Sequence, residues 1–255
     1  MNSADDLARL LADARHAVIL TGAGISTESG IPDFRSPGGI WEKYDPMEVG
    51  SLDMFIRDPS KFWAYHRPRF DAVGSVEPNA AHLAVAELER RGIVKAVITQ
   101  NIDGLHRRAG TQEPIEVHGS LSGGRCLRCD HRVSADELLA RADADEQGVP
   151  RCDCGFQLKS HVVLFGEMLP QEAMEAMFEQ AGMADVLLVI GSSLAVSPVS
   201  DIPGLVLSNG GSLAILTEGE TPYDHRAAVR LHTRAAATMT EVIARLDAAE
   251  GTPAT

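Results

Sequence analysis

Four cysteines stand in two tight pairs, Cys126-x-x-Cys129 and Cys152-x-Cys154. A tetrahedral zinc ion takes thiolates grouped in this way, from two short turns. Two disulfides are one alternative, disfavoured in a reducing compartment. A redox-active Cys-x-x-Cys is another, and it leaves Cys152 and Cys154 without a role. Four protein ligands fill the tetrahedron and leave no position for water or substrate, so a zinc ion here is expected to be structural. It would replace the core that a segment of roughly 40 residues cannot build alone. Gly155 supplies freedom to turn both sulfurs inward. The stretch 130–151 between the pairs is polar and reads as a short exposed helix starting near Ser134, followed by a loop.

A second group of residues is suited to holding phosphate and ribose. The run 17–20 leads into Gly22-Ala23-Gly24-Ile25-Ser26. A dehydrogenase fingerprint would place a third glycine where Thr27 stands, and no P-loop lysine is present after it, so hydride transfer and ATP hydrolysis lack their signatures. A tight strand-to-helix turn would by itself explain two glycines. The next stretch, 28–35, is too dense in special residues for a plain helix start, and Pro32 blocks regular helix. This loop is expected to wrap over whatever the glycines hold. Phe34 would cover a planar group and Arg35 would reach a phosphate or carboxylate. His118, beside Gly119, is one of nine histidines and by itself reads as a turn or core residue.

Apolar runs must position these groups. The runs 17–20, 94–98, 186–190 and 213–216 read as buried parallel strands. Each ends in Gly, Ser, Asn, Asp or Thr. Helical stretches alternate with them. Ser3 caps one that runs to about Arg15, with Leu7, Leu10, Leu11 and Ala14 on one face. Asn79 precedes another carrying Leu83, Val85 and Leu88, which stops at Gly92. Pro170 opens a third that ends near Gly182, and 238–249 form a fourth. The alternation predicts an α/β fold with a doubly wound parallel sheet, whose ligands bind at the carboxyl ends of the strands.

The 255 residues are 44% apolar and 23% charged, enough for a real core. A net charge of −13 argues against unaided binding to nucleic acid or an anionic membrane. No run reaches the roughly 18–20 apolar residues of a spanning helix. The first 15 residues lack the basic-then-apolar order of a signal peptide, so a cytoplasmic location is expected.

Together these residues resemble the sirtuins, NAD-dependent protein lysine deacylases. The resemblance rests on GAGIS (22–26), GIPDFR (30–35), TQNIDGLH (99–106), HG (118–119), the four cysteines, VVLFGE (162–167) and GSSLAV (191–196). It implies a Rossmann-like NAD-binding domain of 1–35, 75–120 and 161–255. It also implies a small domain made from a helical insert, 36–74, and a zinc-binding insert, 121–160. NAD and an acylated protein lysine would meet between the two.

The resemblance further implies residue roles. Gly22, Ala23, Gly24 and Ile25 would line the dinucleotide phosphates, with Asp33, Phe34, Arg35 and Trp41 on the covering side. Gln100 and Asn101 would contact the nicotinamide ribose, with Ile102 and Asp103 in the nicotinamide pocket. Gly191, Ser192, Ser193, Thr217 and Ala235 would hold the adenosine half. Val162, Phe165, Gly166, Glu167 and Val196 would bind the substrate, partly as an added strand. His118 would be the general base, with Asn101 and Asp103 as its catalytic companions. The implied reaction joins the acyl oxygen to C1′ of the nicotinamide ribose, releases nicotinamide, and ends in free lysine and O-acyl-ADP-ribose. NAD would be a consumed co-substrate and zinc a single structural ion.

Two departures from the family pattern stand out. Thr217 replaces the usual Asn at the adenosine ribose, which would weaken that contact. Lys159-Ser160 replaces Arg-Pro before VVLFGE. Sirtuins that prefer succinyl or malonyl lysine carry a Tyr and an Arg three residues apart over the acyl end, and here those positions align with Trp63 and His66. Acetyl or other neutral acyl groups are therefore expected, although His66 or Arg67 would supply a cation in a shifted register. Phe62, Trp63 and Tyr65 read equally as packing of a small helical module. The rival functions are a mono-ADP-ribosyltransferase using the same cleft and a non-catalytic NAD-sensing module. A zinc-ribbon nucleic-acid binder conflicts with the acidic balance.

Overall fold

The computed structural model describes residues 3–250. In chain order the strands are β1 (Ala17–Thr21), β2 (Val94–Thr99), β3 (Ile115–Glu116), β4 (Gly123–Cys126), β5 (Arg132–Ser134), β6 (Leu158–Ser160), β7 (Val186–Ile190), β8 (Ser212–Leu216) and β9 (Val229–Leu231). The helices are α1 (Ala4–Ala12), α2 (Ile40–Lys43), α3 (Pro46–Val49), α4 (Leu52–Arg57), α5 (Pro59–Gly74), α6 (Ala80–Arg90), α7 (Leu105–Ala109), α8 (Ala135–Ala144), α9 (Gln171–Met183), α10 (Ile202–Ser208) and α11 (Ala235–Glu250).

Six strands form one parallel sheet in the order β3-β2-β1-β7-β8-β9. Numbered among themselves, these six run 3-2-1-4-5-6, the Rossmann order. The order reverses between β1 and β7, so a crevice opens past their carboxyl ends. Thr21 is level with both Thr99 and Ile190 there. One face of the sheet packs Ile19, Val97 and Leu188 against Leu7 and Leu11 of α1, Val85 and Leu88 of α6, and Met239 and Val242 of α11. The other packs Val18, Leu20, Leu187 and Val189 against Met177 of α9 and Val206 of α10. Both faces are covered, which is why these strands read as unbroken apolar runs.

The sequence expectations differ from the structure in particular places. The first helix stops at Ala12, with Asp13 as its C-cap; its N-cap Ser3 accepts from the Asp6 N–H as expected. Leu83 points to solvent, 53% exposed, while Val85 and Leu88 are buried. Strands β3 and β9 have no counterpart among the expected strands because they are two and three residues long and carry Glu116 and Arg230.

A second sheet, antiparallel β5-β4-β6, carries Cys126 at the end of β4. Ser134 caps α8 by accepting from the Glu137 N–H. This helix is not wholly exposed, and the cysteine segment is not coreless as its sequence suggests. Leu138 of α8, with Cys126, Cys152, Val149 and Leu158, joins one apolar cluster with Phe55 of α4 and Phe62, Trp63 and Phe70 of α5. Two distant segments share the core that neither could build alone. Among the described residues no helix is long and apolar enough to cross a membrane.

Candidate functional site

The loops that leave β1, β2 and β7 meet at the crevice. After β1 the chain makes a 3₁₀ turn over Ala23–Ser29 and ends it at Gly30. Gly22 donates its N–H to the Ile190 carbonyl (3.0 Å) and Gly24 donates to the Gly191 carbonyl (2.8 Å). The two turns touch backbone to backbone. A Cβ on Gly24 would lie 2.7 Å from the Gly191 Cα, and one on Gly191, where φ is +64°, would lie 2.3 Å from the Ile25 nitrogen. The glycines are thus required by strand-end packing as well as by any ligand. Ile25 sends its side chain into the main core and offers only backbone to the crevice.

Side chains from the loop after β2 tie these turns together. Gln100 Nε2 donates to Ser192 Oγ (2.7 Å). Asn101 Nδ2 donates to the Gly22 carbonyl (3.2 Å) and to Ser26 Oγ (3.1 Å). Ser26 in turn donates to Asp103 Oδ2 (2.7 Å), whose other oxygen accepts the Leu105 N–H at the start of α7 (2.9 Å). His82, at the N3 position of α6, places Nε2 at 3.4 Å from Ser26 Oγ. Thr21 donates its hydroxyl proton to Thr99 Oγ1 (2.8 Å), so the 2.9 Å bond to His106 Nε2 requires the histidine to donate. Thr99 Oγ1 also accepts the Asn101 N–H (3.1 Å). Burial pushes His82 down to about 4, against the pull of Asp103, and His106 to about 3, with His82 acting the same way. Both are neutral at pH 7.

In the sequence His82 shows only as a residue on a helix face and Ser26 carries no assigned role, yet both belong to this network. The signals are the serine inside GAGIS and the histidine three residues after the Asn79 cap. His106 is a hydrogen-bonding group, as its place inside TQNIDGLH suggests.

His118 lies just beyond β3 and faces the same crevice. Its Nδ1–H donates to the Gln100 carbonyl (3.1 Å), which leaves Nε2 with a free lone pair. Burial holds its pKa below the usual value, outweighing the bond to Gln100, and the charge of Arg35 adds to the effect. The His118 carbonyl accepts the Val163 N–H (2.8 Å), joining the histidine loop to 162–167.

The covering loop is ordered by Asp33, whose carboxylate accepts from the Arg35 N–H (3.2 Å) and the Ser36 N–H (2.9 Å). The Phe34 ring lies 5.0 Å from Trp41, and Trp41 lies 6.2 Å from Phe165. The expected cofactor cover and substrate strand therefore touch. At the far end, an open cleft is lined by Gly24, Asp33, Gly191, Thr217, Gly219 and Ala235, among others. Arg230 of β9 fixes its rim by donating to the carbonyls of Thr217 (2.8 Å) and Gly219.

Within 162–167, Phe165 makes a parallel bridge with Ser51. Its N–H goes to the Gly50 carbonyl (2.9 Å) and its carbonyl accepts from Leu52 (3.0 Å). Among the described residues, the Gly166 N–H and carbonyl and the Val196 N–H take no protein partner. These are the groups that the sequence reading assigns to an added strand. The Glu167 carboxylate turns inward to Lys159 Nζ (2.9 Å) and the Leu164 N–H (2.8 Å).

The four cysteine sulfurs lie within 4.8 Å of one another. Three of the separations are 3.5 Å (Cys126–Cys154), 3.5 Å (Cys129–Cys152) and 3.7 Å (Cys129–Cys154). Zinc–sulfur bonds of about 2.3 Å give tetrahedral edges of about 3.8 Å. A disulfide needs about 2.05 Å. The donor set and its spacing are compatible with zinc.

The sequence profile of the Sir2 family matches residues 22–198. This chain belongs to the Sir2 family. The sirtuin is 43% identical over 246 residues to an NAD-dependent protein deacetylase of Sulfolobus acidocaldarius, covering 96% of each chain. It is similar, with a TM-score of 0.92 and 37% identity over 98% of each chain, to the solved structure of a Sir2 homologue mutant with ADP-ribose. A further solved Sir2 mutant, with a deacetylated p53 peptide and 3′-O-acetyl ADP-ribose, matches with a TM-score of 0.90 and 37% identity, over 95% of this chain and 98% of that one.

The helical stretch aligned with acyl selectivity sends Phe62 and Trp63 into the core of this sirtuin, while Lys61 and Ala64 are exposed and Tyr65, His66 and Arg67 are half-buried. Phe62 and Trp63 are fully buried. His66 stacks on Phe62 and donates Nε2–H to the Val49 carbonyl (2.8 Å). Burial pushes it down to about 4, so it carries no charge at pH 7. Arg67 is held by Asp71 (2.6 Å) and Asp143 (3.1 Å). Arg69 lies 3.3 Å from the centroid of the Tyr65 ring.

Proposed function

We propose that this sirtuin removes acyl groups from protein lysines, consuming NAD and releasing nicotinamide and an O-acyl-ADP-ribose. The observation that carries the reading is His118. Its tautomer is fixed by the Gln100 carbonyl, its Nε2 is free, and it is neutral at pH 7 in a crevice shared by GAGIS, TQNID and GSS. NAD would supply a glycosidic bond that opens to an electrophilic ribose carbon.

The chain's own residues do the rest. Backbone at Gly22, Ala23, Gly24 and Ile25 would line the phosphates, and the cleft at Gly191, Thr217 and Ala235 would take the adenosine half. Phe34, Arg35 and Trp41 would close over the cofactor and exclude water. Asn101 and Asp103, braced on Ser26, would orient the nicotinamide side. His118 Nε2 would accept the ribose hydroxyl proton, the general-base step. An acyl-lysine peptide would pair with Gly166 and Val196 and pass its side chain beside Val162 and Phe165. We also read Cys126, Cys129, Cys152 and Cys154 as ligands of one structural zinc, and the two shared-core inserts as a small domain against the larger sheet domain. Neutral acyl groups are favoured because His66 is uncharged and Arg67 is already paired.

The test is mass spectrometry of acetyl-, succinyl- and longer-acyl-lysine peptides with NAD, tracking both products. Acyl loss with nicotinamide release is expected, fastest for acetyl. A peptide that instead gains ADP-ribose mass would favour a transferase. His118→Ala should cut turnover by about 10²–10⁴-fold while leaving melting temperature and zinc content unchanged. Full turnover in that variant would remove the base assignment.

A further inference from the structure

We infer that Lys159 is a positioning residue for the acyl-lysine peptide, its buried ammonium fixing the path of 162–167 against which the peptide lies. The inference rests on the proposed deacylase activity.

The Lys159 side chain is 3% exposed. Its ammonium has three N–H groups, and three acceptors surround it: the Ser160 carbonyl (3.0 Å), the Val162 carbonyl (2.5 Å) and Glu167 Oε2 (2.9 Å). The same Glu167 oxygen accepts the Leu164 N–H (2.8 Å). One cation thus holds residues 160, 162 and 167 directly, and 164 through the carboxylate. The turn is closed by the Glu167 N–H on the Leu164 carbonyl (2.9 Å).

What the clamp holds is the junction of the site. Val163 is bonded to the His118 carbonyl, and Phe165 to Gly50 and Leu52. Gly166, the group left open for a peptide, sits inside the clamped turn. Lys159 itself stands on β6, opposite Arg125, with its neighbour Leu158 opposite the zinc-side Cys126. A buried charge of this kind is costly unless fully paired, and a well-packed apolar residue would serve stability equally well. A polar clamp makes sense where a loop must hold one shape. No acceptor of the clamp lies in the glycine turns or the adenosine cleft, so its loss should reach the peptide and spare the nucleotide.

The experiment is steady-state kinetics of the full-length protein with an acetyl-lysine peptide and NAD. Lys159→Met should raise the peptide KM by about tenfold, with kcat at saturating peptide and the KM for NAD held within about twofold. Lys159→Arg, which keeps a cation of similar reach, should restore most of the peptide KM. If Lys159→Met does not fold, Lys159→Gln decides: it keeps an N–H donor toward the Ser160 and Val162 carbonyls and removes the charge facing Glu167, and should raise the peptide KM about threefold. An unchanged peptide KM in a folded variant, or equal losses toward NAD and peptide, would overturn the inference. The wild type assayed alongside separates the two claims. If it releases no nicotinamide, the deacylase reading fails, and fluorescence anisotropy of labelled peptide on wild type and variants then tests the clamp alone.

Discussion

The two sides of the cleft are held by different physics. On the side proposed for the cofactor, the glycine turns after β1 and β7 pack backbone to backbone at the end of a sheet buried on both faces. On the side proposed for the peptide, the holding groups are four clustered cysteines, one buried ion pair and an apolar cluster assembled from two distant segments. The first side fails when the main core or the backbone contact between the two turns is disturbed. On the zinc reading proposed above, the second would be released by a metal chelator or by the loss of a single charge. A sirtuin built this way should lose peptide recognition well before it loses its nucleotide.

The largest expected effect tests that order directly. Cys126→Ser, or treatment with a strong chelator, should release zinc and unfold β4–β6 with their share of the α4–α5 core, because metal binding and folding are coupled in small modules. Peptide-dependent nicotinamide release should vanish. ADP-ribose binding, measured by calorimetry, should hold within about twofold, since the sheet has its own core. Simultaneous loss of both would show that the two sides are one cooperative unit.

The next effect comes from the other side. Gly191→Ala places a Cβ 2.3 Å from the Ile25 nitrogen in a left-handed backbone, with no side chain there to yield. It should cost about 3 kcal/mol and weaken ADP-ribose binding at least about tenfold. Gly30→Ala is the control. Gly30 has φ +95° but nothing within 4 Å of its Cβ position, so only the conformational cost of about 1 kcal/mol is expected. Chemical denaturation and calorimetry measure both. Equal effects at the two glycines would mean that backbone contact between the turns is unimportant.

The same contrast governs what the sequence could reveal. Strands covered on both faces are contiguous apolar runs, so four of the six main strands are visible with their polar ends. Strands β3 and β9 are not, because they are too short to leave a pattern and hold Glu116 and Arg230. The cysteine spacing declares a cluster, but not that Leu138 packs with Phe62 and Trp63, residues some 75 positions earlier in the chain. Such a contact leaves no local periodicity. Ser26, His82 and Lys159 are legible as residues but not as partners, since each acts through a bond to a distant or turned-back segment.

The smallest effect is graded and concerns acid. His82 and His106 lie under the glycine turns, and His66 lies in α5. Burial holds all three below their ordinary value, to about 4, 3 and 4. Below about pH 6.5 the unfolded chain binds protons that the native protein refuses, so stability falls as pH drops toward 4. The slope is at most ~1.4 kcal/mol per pH unit for each histidine. Asp103 near His82 softens it there, while Arg69 and Lys159 near His66 reinforce it. Burial also lowers His118 beside the glycine turns and His161 near β4, so the sheet side carries three such groups, two of them at about 4 and 3, while α5 carries only His66. Hydrogen exchange at pH 5 should therefore lose more protection at the ends of β1 and β2 than in α5. His66→Asn should lower the acid slope by about one histidine's share while leaving exchange at β1 unchanged. A slope untouched by that substitution would mean that His66 takes up its proton in the folded state as readily as in the unfolded chain.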